Sequence, residues 1–225
     1  STQTIRNLVF SGGGVRGVAY VGAVEALESA GILSGTRRVA GASAGAIAAG
    51  LLAAGADAAR FGDLFRRLDF PSLLHDSFGV LGDPIRLWLG SGLHTGDSLS
   101  AWLRDAVGEL TAASLGAARP DLTLGELHEA ALAGKPVRRF AAIGSNLSHQ
   151  MPEVLSAHNT PSMPLWQAMR ASASFPLVFQ PVTIDGTVFV DGGLTWNYPI
   201  DLFDGDFARR VRGRLGAVDV GERTI

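Results

Sequence analysis

Arg38-Val39-Ala40-Gly41-Ala42-Ser43-Ala44-Gly45-Ala46 runs without a charge from Val39 onward, placing one serine between two glycines. Arg38 to Ala42 reads as a buried strand, Gly41 to Gly45 as a sharp turn, and Ala46 to Phe61 as an alanine-rich helix. The segment before it has the same plan. Ile5 to Phe10 is a short apolar run ending in Ser11-Gly12-Gly13-Gly14, and Val18, Val21, Val24 and Leu27 then recur at helical spacing through Ala30, before a Gly31 stop. Two successive strand–turn–helix units imply an α/β fold, with a parallel sheet carrying helices on its faces.

The uncharged stretch from Val39 to Ala56 has a second reading as a membrane span, since Gly41 and Gly45 satisfy GxxxG. It is mostly alanine and glycine, which partition weakly into hydrocarbon, and it reaches only the lower end of the spanning range, so a buried strand plus helix is the better reading. No transmembrane segment is expected. The whole chain, 225 residues with 47% hydrophobic and 18% charged, can bury a sizeable core within one domain. Nineteen Lys+Arg against 21 Asp+Glu leave a formal charge of -2, so no basic excess exists to hold a nucleic-acid backbone. Without cysteine there is no thiolate nucleophile, redox pair or Cys-type zinc site. Ser1 to Phe10 carries Arg6 but no apolar core of a signal peptide.

Farther along, residues 61–104 lose clear periodicity. Phe65, Phe70, Leu73, Leu74, Phe78, Leu81, Trp88 and Leu93 are interrupted by Pro71, Pro84 and several glycines, a pattern expected to form a cap of short helices and loops. Leu99 to Val107 and Leu124 to Ala133 read as helices, Val137 to Ile143 as a strand, and Leu165 to Ala173 as a short helix closed by Pro176. Val182 to Ile184 and Thr187 to Val190, joined by Asp185-Gly186, give a hairpin signal that leads into Asp191-Gly192-Gly193.

Gly12, Gly14 and Gly17 fit the dinucleotide pattern GxGxxG, but among 29 glycines one such match is expected by chance about half the time. A dinucleotide site also wants an acidic residue closing the second strand, where this chain has Gly41-Ala42-Ser43. Gly41 to Gly45 matches GxSxG, in which small neighbours let a serine sit exposed on a tight strand-to-helix turn. The bland alternative is close helix–sheet packing with Ser43 as a helix cap. A serine nucleophile needs a base and N–H donors for the developing oxyanion. His75, His94, His128, His149 and His158 all precede Asp191, so no histidine follows that aspartate to complete the order serine, acid, histidine of α/β-hydrolases. Asp191 ends an apolar strand before two glycines and is the candidate base, its alternative being a turn-forming aspartate. The glycine run Gly12 to Gly14, with Arg16 and Gly17, makes a concave anion site at a helix start, and consecutive parallel strands place it beside Ser43.

Together these boxes resemble the patatin-like phospholipase family. Its GGGxRG box corresponds to Gly12 to Gly17, its GxSxG nucleophile to Gly41 to Gly45, and its DG[GA] acid to Asp191-Gly192-Gly193, in the family's order. Ser145-Asn146-Leu147, Arg170 to Pro176 and Trp196-Asn197-Tyr198-Pro199 agree as well, so the resemblance runs from Asn7 to Ile200. It implies a three-layer α/β/α fold with a mainly parallel central sheet, formed by a single catalytic domain over residues 1–225 with 61–104 as its cap or lid. It further implies that Ser43 is the nucleophile and Asp191 its partner in a dyad, on an elbow made by Gly41 and Gly45. Gly12, Gly13, Gly14, Arg16 and Gly17 would form the oxyanion hole.

The implied reaction is hydrolysis of lipid acyl esters through an acyl-enzyme, with no metal or cofactor. The expected partner is membrane or micellar lipid met peripherally, and the expected location is cytoplasmic or peripherally membrane-associated, in a bacterium. The family fold continues past the acid with further helix and strand, whereas this chain ends at Ile225 after Arg209-Arg210-Val211-Arg212-Gly213-Arg214. Two rival functions stay open: a nucleotide- or phosphate-binding protein using the Gly12 to Gly17 loop, and a catalytically silent patatin-like binding module.

Overall fold

The structure, a computed structural model, describes residues 5–68, 96–176 and 179–204. Strand β1 (Asn7–Phe10) is followed by a 3-10 turn (Gly14–Val18), helix α1 (Ala19–Ser29) and the short α2 (Ile32–Gly35). Strand β2 (Arg38–Ala42) then leads through Ser43 into α3 (Ala44–Ala53) and α4 (Ala58–Arg67). After the undescribed residues come α5 (Asp97–Leu115), α6 (Leu124–Leu132), β3 (Arg139–Asn146) and β4 (Met151–Ser156). Helix α7 (Leu165–Ser172), the hairpin β5 (Val182–Ile184) and β6 (Thr187–Asp191), α8 (Gly193–Trp196) and a 3-10 turn (Ile200–Phe203) complete the order.

The two expected strand–helix units are present, and β1, β2 and β3 pair in parallel. Strands β4 and β6 both run antiparallel to β3, extending the sheet. The pleat divides the core into two layers. Leu8, Phe10, Val39, Phe140 and Ala142 face a large cluster with the helices α1 and α3 to α7, while Val9, Ala40, Ala42, Ala141 and Ile143 face the other side, covered by Leu202, Phe203 and Trp196. Helices thus lie on both sheet faces, as an α/β fold requires.

Helix α3 is the centre of the larger layer, and every one of its residues is buried. A helix apolar all round survives only in such a place, which accounts for the uncharged Val39 to Ala56 stretch without a membrane. Among the described residues no helix is long and apolar enough to cross a membrane. The small side chains are steric requirements: a Cβ on Gly50 would lie 2.1 Å from Met169 Sδ of α7. Complete burial of Leu51 and Leu52 contributes roughly 1.5–3 kcal/mol each.

Several boundaries differ from the sequence reading. The helix expected over Ala46 to Phe61 is two helices, because Gly55 takes φ +102° and a Cβ there would strike Ser114 and the Pro136 carbonyl. Asp57 restarts the chain as an N-cap, accepting from Arg60 N–H at 2.8 Å. Helix α5 runs on past Val107 to Leu115 and ends at Gly116 in the left-handed region. Strand β4 has no counterpart in the sequence reading. Of the stretch expected to form a cap, residues 69–95 lie outside the described residues. Its described flanks belong to the body instead: Phe61 and Phe65 stack at 4.6 Å within the main core, and Leu99 and Leu103 are buried there too.

Register explains how the sheet makes a site. Residues 141–146 of β3 pair with β4 throughout, so β2, paired with 139–143, and β6, paired with 144–146, share the opposite edge of β3. They approach from opposite directions and meet end to end, with Ala42 beside Ile143 and Asp191 beside Gly144. The residues at both carboxyl ends, Ser43 and Asp191, are therefore thrown together although 148 positions separate them.

Candidate active site

Ser43 leaves β2 with φ 54° and ψ -127° and opens α3. Such a conformation costs a non-glycine residue about 1–3 kcal/mol and persists only where the surroundings enforce it. Here the enforcement is visible in two neighbouring glycines. A Cβ on Gly41 would sit 2.4 Å from the Gly45 carbonyl, and one on Gly45 would sit 2.3 Å from the Phe10 carbonyl oxygen, so any side chain would push the turn apart. The sharp turn expected at Gly41 to Gly45 is present, and it leaves Ser43 half-buried rather than sealed.

The Ser43 hydroxyl donates to Asp191 Oδ2 at 2.6 Å. Asp191 is 2% exposed, and its other oxygen, Oδ1, accepts from Gly193 N–H at 2.7 Å. A Cβ on Gly193 would lie 2.9 Å from that same oxygen, so the glycine lets the backbone come close enough to bond it. Burial pushes the Asp191 carboxyl above the ordinary carboxylate range, and the bonds from Ser43 and Gly193 only partly oppose that shift. A carboxylate so placed is a stronger base than one in water, and it has a hydroxyl proton within reach.

The glycine loop lies where consecutive parallel strands were expected to put it. A Cβ on Gly12 would fall 3.2 Å from Ser43 Cβ and 2.1 Å from Asn197 Oδ1. One part of the expectation changes. Gly12 N–H donates to the Asn197 carbonyl at 2.9 Å, and Asn197 Nδ2 donates back to the Gly12 carbonyl at 3.2 Å, so that glycine is committed to a clamp. Gly13 and Gly14, the cap and first residue of the 3-10 turn, carry N–H groups of the kind that a helix start leaves without an intrahelical partner. A Cβ on Gly14 would meet nothing within 4 Å among the described residues. Gly17 serves packing, its missing Cβ being 3.1 Å from Ala44 Cβ, and Arg16 is exposed at the rim.

Three further residues hold these groups. Ser43 N–H donates to Ser172 Oγ at 3.0 Å, and Ser145 Oγ donates to the Asp191 carbonyl at 2.7 Å while lying 2.8 Å from Thr195 Oγ1. Ser172, Ser145 and Asn197 fall in segments that match the patatin-like pattern, but no local signal distinguishes their roles. His75 and His94 lie outside the described residues. His149 bonds Asn146, and His128 packs edge-on against His158, the two lining a small cavity together with Val154 and Phe203 of the smaller core layer. Asp185, at φ 48° before Gly186 at φ 78°, is the hairpin turn expected of it.

This arrangement defines a serine and a buried carboxylate facing a glycine-rich loop, and comparison with known proteins places it. The profile of the family described as patatin-like phospholipase matches residues 8–204, and the chain belongs to that family. It is 33% identical over 223 residues to YqhO of Bacillus subtilis, covering 91% of this chain and 69% of that protein. It is 28% identical over 212 residues to R571 of Acanthamoeba polyphaga mimivirus, covering 94% of this chain and 65% of the relative. Among solved structures, ExoU of Pseudomonas aeruginosa, in its heterodimeric complex with SpcU from the type III secretion system, superposes with TM-score 0.62 at 31% identity, over 87% of this chain and 41% of the ExoU chain. The chain thus spans about two thirds of those two relatives and well under half of ExoU. The description of the family names a phospholipase.

Proposed function

We propose that the protein hydrolyses carboxylic esters of lipids, with Ser43 as nucleophile and Asp191 as the single general base and acid. The observation that carries this reading is the 2.6 Å bond from the Ser43 hydroxyl to Oδ2 of a buried carboxylate, made across the meeting ends of β2 and β6. In acylation, Ser43 Oγ attacks the ester carbonyl carbon and its proton passes to Asp191 Oδ2. Negative charge on the carbonyl oxygen is held by the N–H groups of Gly13 and Gly14, with Arg16 adding positive charge at the rim. Collapse breaks the ester C–O bond, and the leaving alkoxide takes the proton from Asp191. Water then gives its proton to Asp191 and attacks the acyl-enzyme, releasing the fatty acid and restoring the Ser43 hydroxyl.

Lipid as the substrate class is supported by membership of the family and by the rim. Val15 and Val18 beside the glycine loop, Leu194 and Tyr198 beyond the acid, and Phe175 at the end of α7 all expose apolar side chains. A peripheral, membrane- or micelle-facing mouth would use them. The test is fatty-acid release from phospholipid vesicles, together with p-nitrophenol release from medium-chain acyl esters, by wild type, Ser43→Ala and Asp191→Asn. Loss of at least about 1,000-fold in kcat for both variants supports the dyad. Activity that survives in Ser43→Ala overturns it, and nucleotide binding by an esterase-inactive wild type would favour the phosphate-loop reading instead.

A further inference from the structure

The segment at the end of α7 reaches Ser43 through Ser172, and Asp191 and its neighbour Gly192 through Ser174 and Ser172. Ser172 is fully buried, and its single hydroxyl proton goes to the Ile143 carbonyl at 2.6 Å, which leaves its lone pairs facing the N–H of Ser43 at 3.0 Å. Its own carbonyl accepts from Gly192 N–H at 3.0 Å, next to Asp191, and the Ser174 carbonyl accepts from Asp191 N–H at 2.9 Å. Ile143 lies where β2 and β6 meet, and a Cβ on Gly192 would come within 1.9 Å of its carbonyl oxygen. The backbones of nucleophile and acid are therefore tied to one short segment, Ser172 to Ser174, that belongs to neither strand, and Ser172 bonds both Ser43 and the residue after Asp191.

We propose that Ser172 is a positioning residue for the Ser43–Asp191 pair, resting on the catalytic reading above. Ser43 holds a positive φ, and its N–H goes to the Ser172 hydroxyl. The Ser172 hydroxyl supplies the acceptor that such a turn must find inside the protein. Because the hydroxyl has one proton and that proton is fixed on Ile143, its acceptor face has one orientation, and the height of Ser43 above the sheet is set by it. Without the hydroxyl, the Ser43 N–H and the Ile143 carbonyl both lose a buried partner, and the elbow relaxes toward an unstrained φ. A shift of about 1 Å between reacting groups costs on the order of 100-fold in rate. Substrate binding, which depends on the rim and not on the elbow, changes little.

The experiment compares wild type, Ser172→Ala, Ser172→Thr and Thr111→Val in p-nitrophenyl ester kinetics, in the rate of fluorophosphonate labelling, and in thermal unfolding. Thr111 is an equally buried hydroxyl in α5 that bonds the Val107 and Gly108 carbonyls and accepts from Arg119 N–H, so its loss costs stability away from the site. The expected result is that Ser172→Ala loses about 10- to 100-fold in kcat and in labelling rate with KM within about twofold, that Ser172→Thr recovers most of it by keeping the hydroxyl, and that Thr111→Val lowers Tm with kcat retained. A folded Ser172→Ala with wild-type kcat and labelling overturns the proposal. So does a folded Ser172→Thr as slow as the alanine variant, or an unfolded Ser172→Ala beside a Ser172→Thr of wild-type Tm and low kcat. No labelling of wild type at all refutes the catalytic reading itself, whereas labelled wild type with unchanged variants refutes the positioning role alone.

Discussion

Ser43→Gly and Ser43→Ala both remove the hydroxyl, and the difference between them isolates the strain at the elbow. In ordinary helix or strand, glycine is less stable than alanine by roughly 0.5–1 kcal/mol, because it gives up more backbone freedom on folding. At Ser43 the sign inverts. The native φ of 54° with ψ -127° costs a residue bearing a Cβ about 1–3 kcal/mol, a cost that glycine escapes. Taking the middle of each range, subtracting the glycine entropy leaves the Gly variant more stable than the Ala variant by roughly 1 kcal/mol. For a chain of this size that amounts to about 2–4 °C in Tm. Both variants lose the same bond to Asp191, so that term cancels. Thermal and urea unfolding of the two proteins, followed in parallel by circular dichroism, gives the sign directly. An alanine variant as stable as the glycine variant, or more so, would refute the claim that the turn holds Ser43 in a conformation it does not favour.

Two other outcomes follow from the same geometry. Asp191 is held above the ordinary carboxylate range by burial, so its ionisation destabilises the folded state: the associated stability is present below the unfolded-state pKa of about 3.8 and is lost as pH rises through the folded-state value. The urea midpoint of Asp191→Asn relative to wild type is therefore expected to increase from pH 3.5 to pH 8, while kcat/KM of wild type rises with pH along a limb lying above that of an exposed aspartate; a midpoint difference that shrinks with pH contradicts this. Gly45→Ala places a Cβ 2.3 Å from the Phe10 carbonyl oxygen and 2.5 Å from that of Ser11, backbone atoms that no rotamer change moves, and is expected to cost about 1–3 kcal/mol or more and to misplace Ser43, read as a lowered Tm with esterase activity falling further than Tm alone explains.

What the sequence made legible was local. The strands β1 and β2, the two glycine turns and the hairpin at Asp185-Gly186 each rest on residues within about ten positions, where apolar runs and glycines speak for themselves. Strand β4 was hidden because its pattern, Met151 to Ser156, is short, carries Pro152 and lies at the sheet edge, where proline is tolerated. The break of the alanine-rich helix at Gly55 depends on contacts with Ser114 and Pro136, which lie far along the chain. In the site, Ser43 and Asp191 were readable within their motifs. Their meeting required the register of β3, and the loss of Gly12 N–H to Asn197 involves residues 185 apart. Nothing in Arg170 to Pro176 marks Ser172 as the residue under Ser43, since its role comes from two distant backbone groups, the Ser43 N–H and the Ile143 carbonyl, converging on one hydroxyl.

The central claim is that Ser43 is a nucleophile activated by Asp191 alone. The most direct measurement is the intact and peptide mass of the protein after treatment with an alkyl fluorophosphonate, for wild type and Asp191→Asn at equal folded concentration. The account predicts one phosphonyl adduct per chain, located on Ser43, and formed by Asp191→Asn at least about 1,000-fold more slowly. An adduct on another serine, or labelling of Asp191→Asn at the wild-type rate, would contradict it.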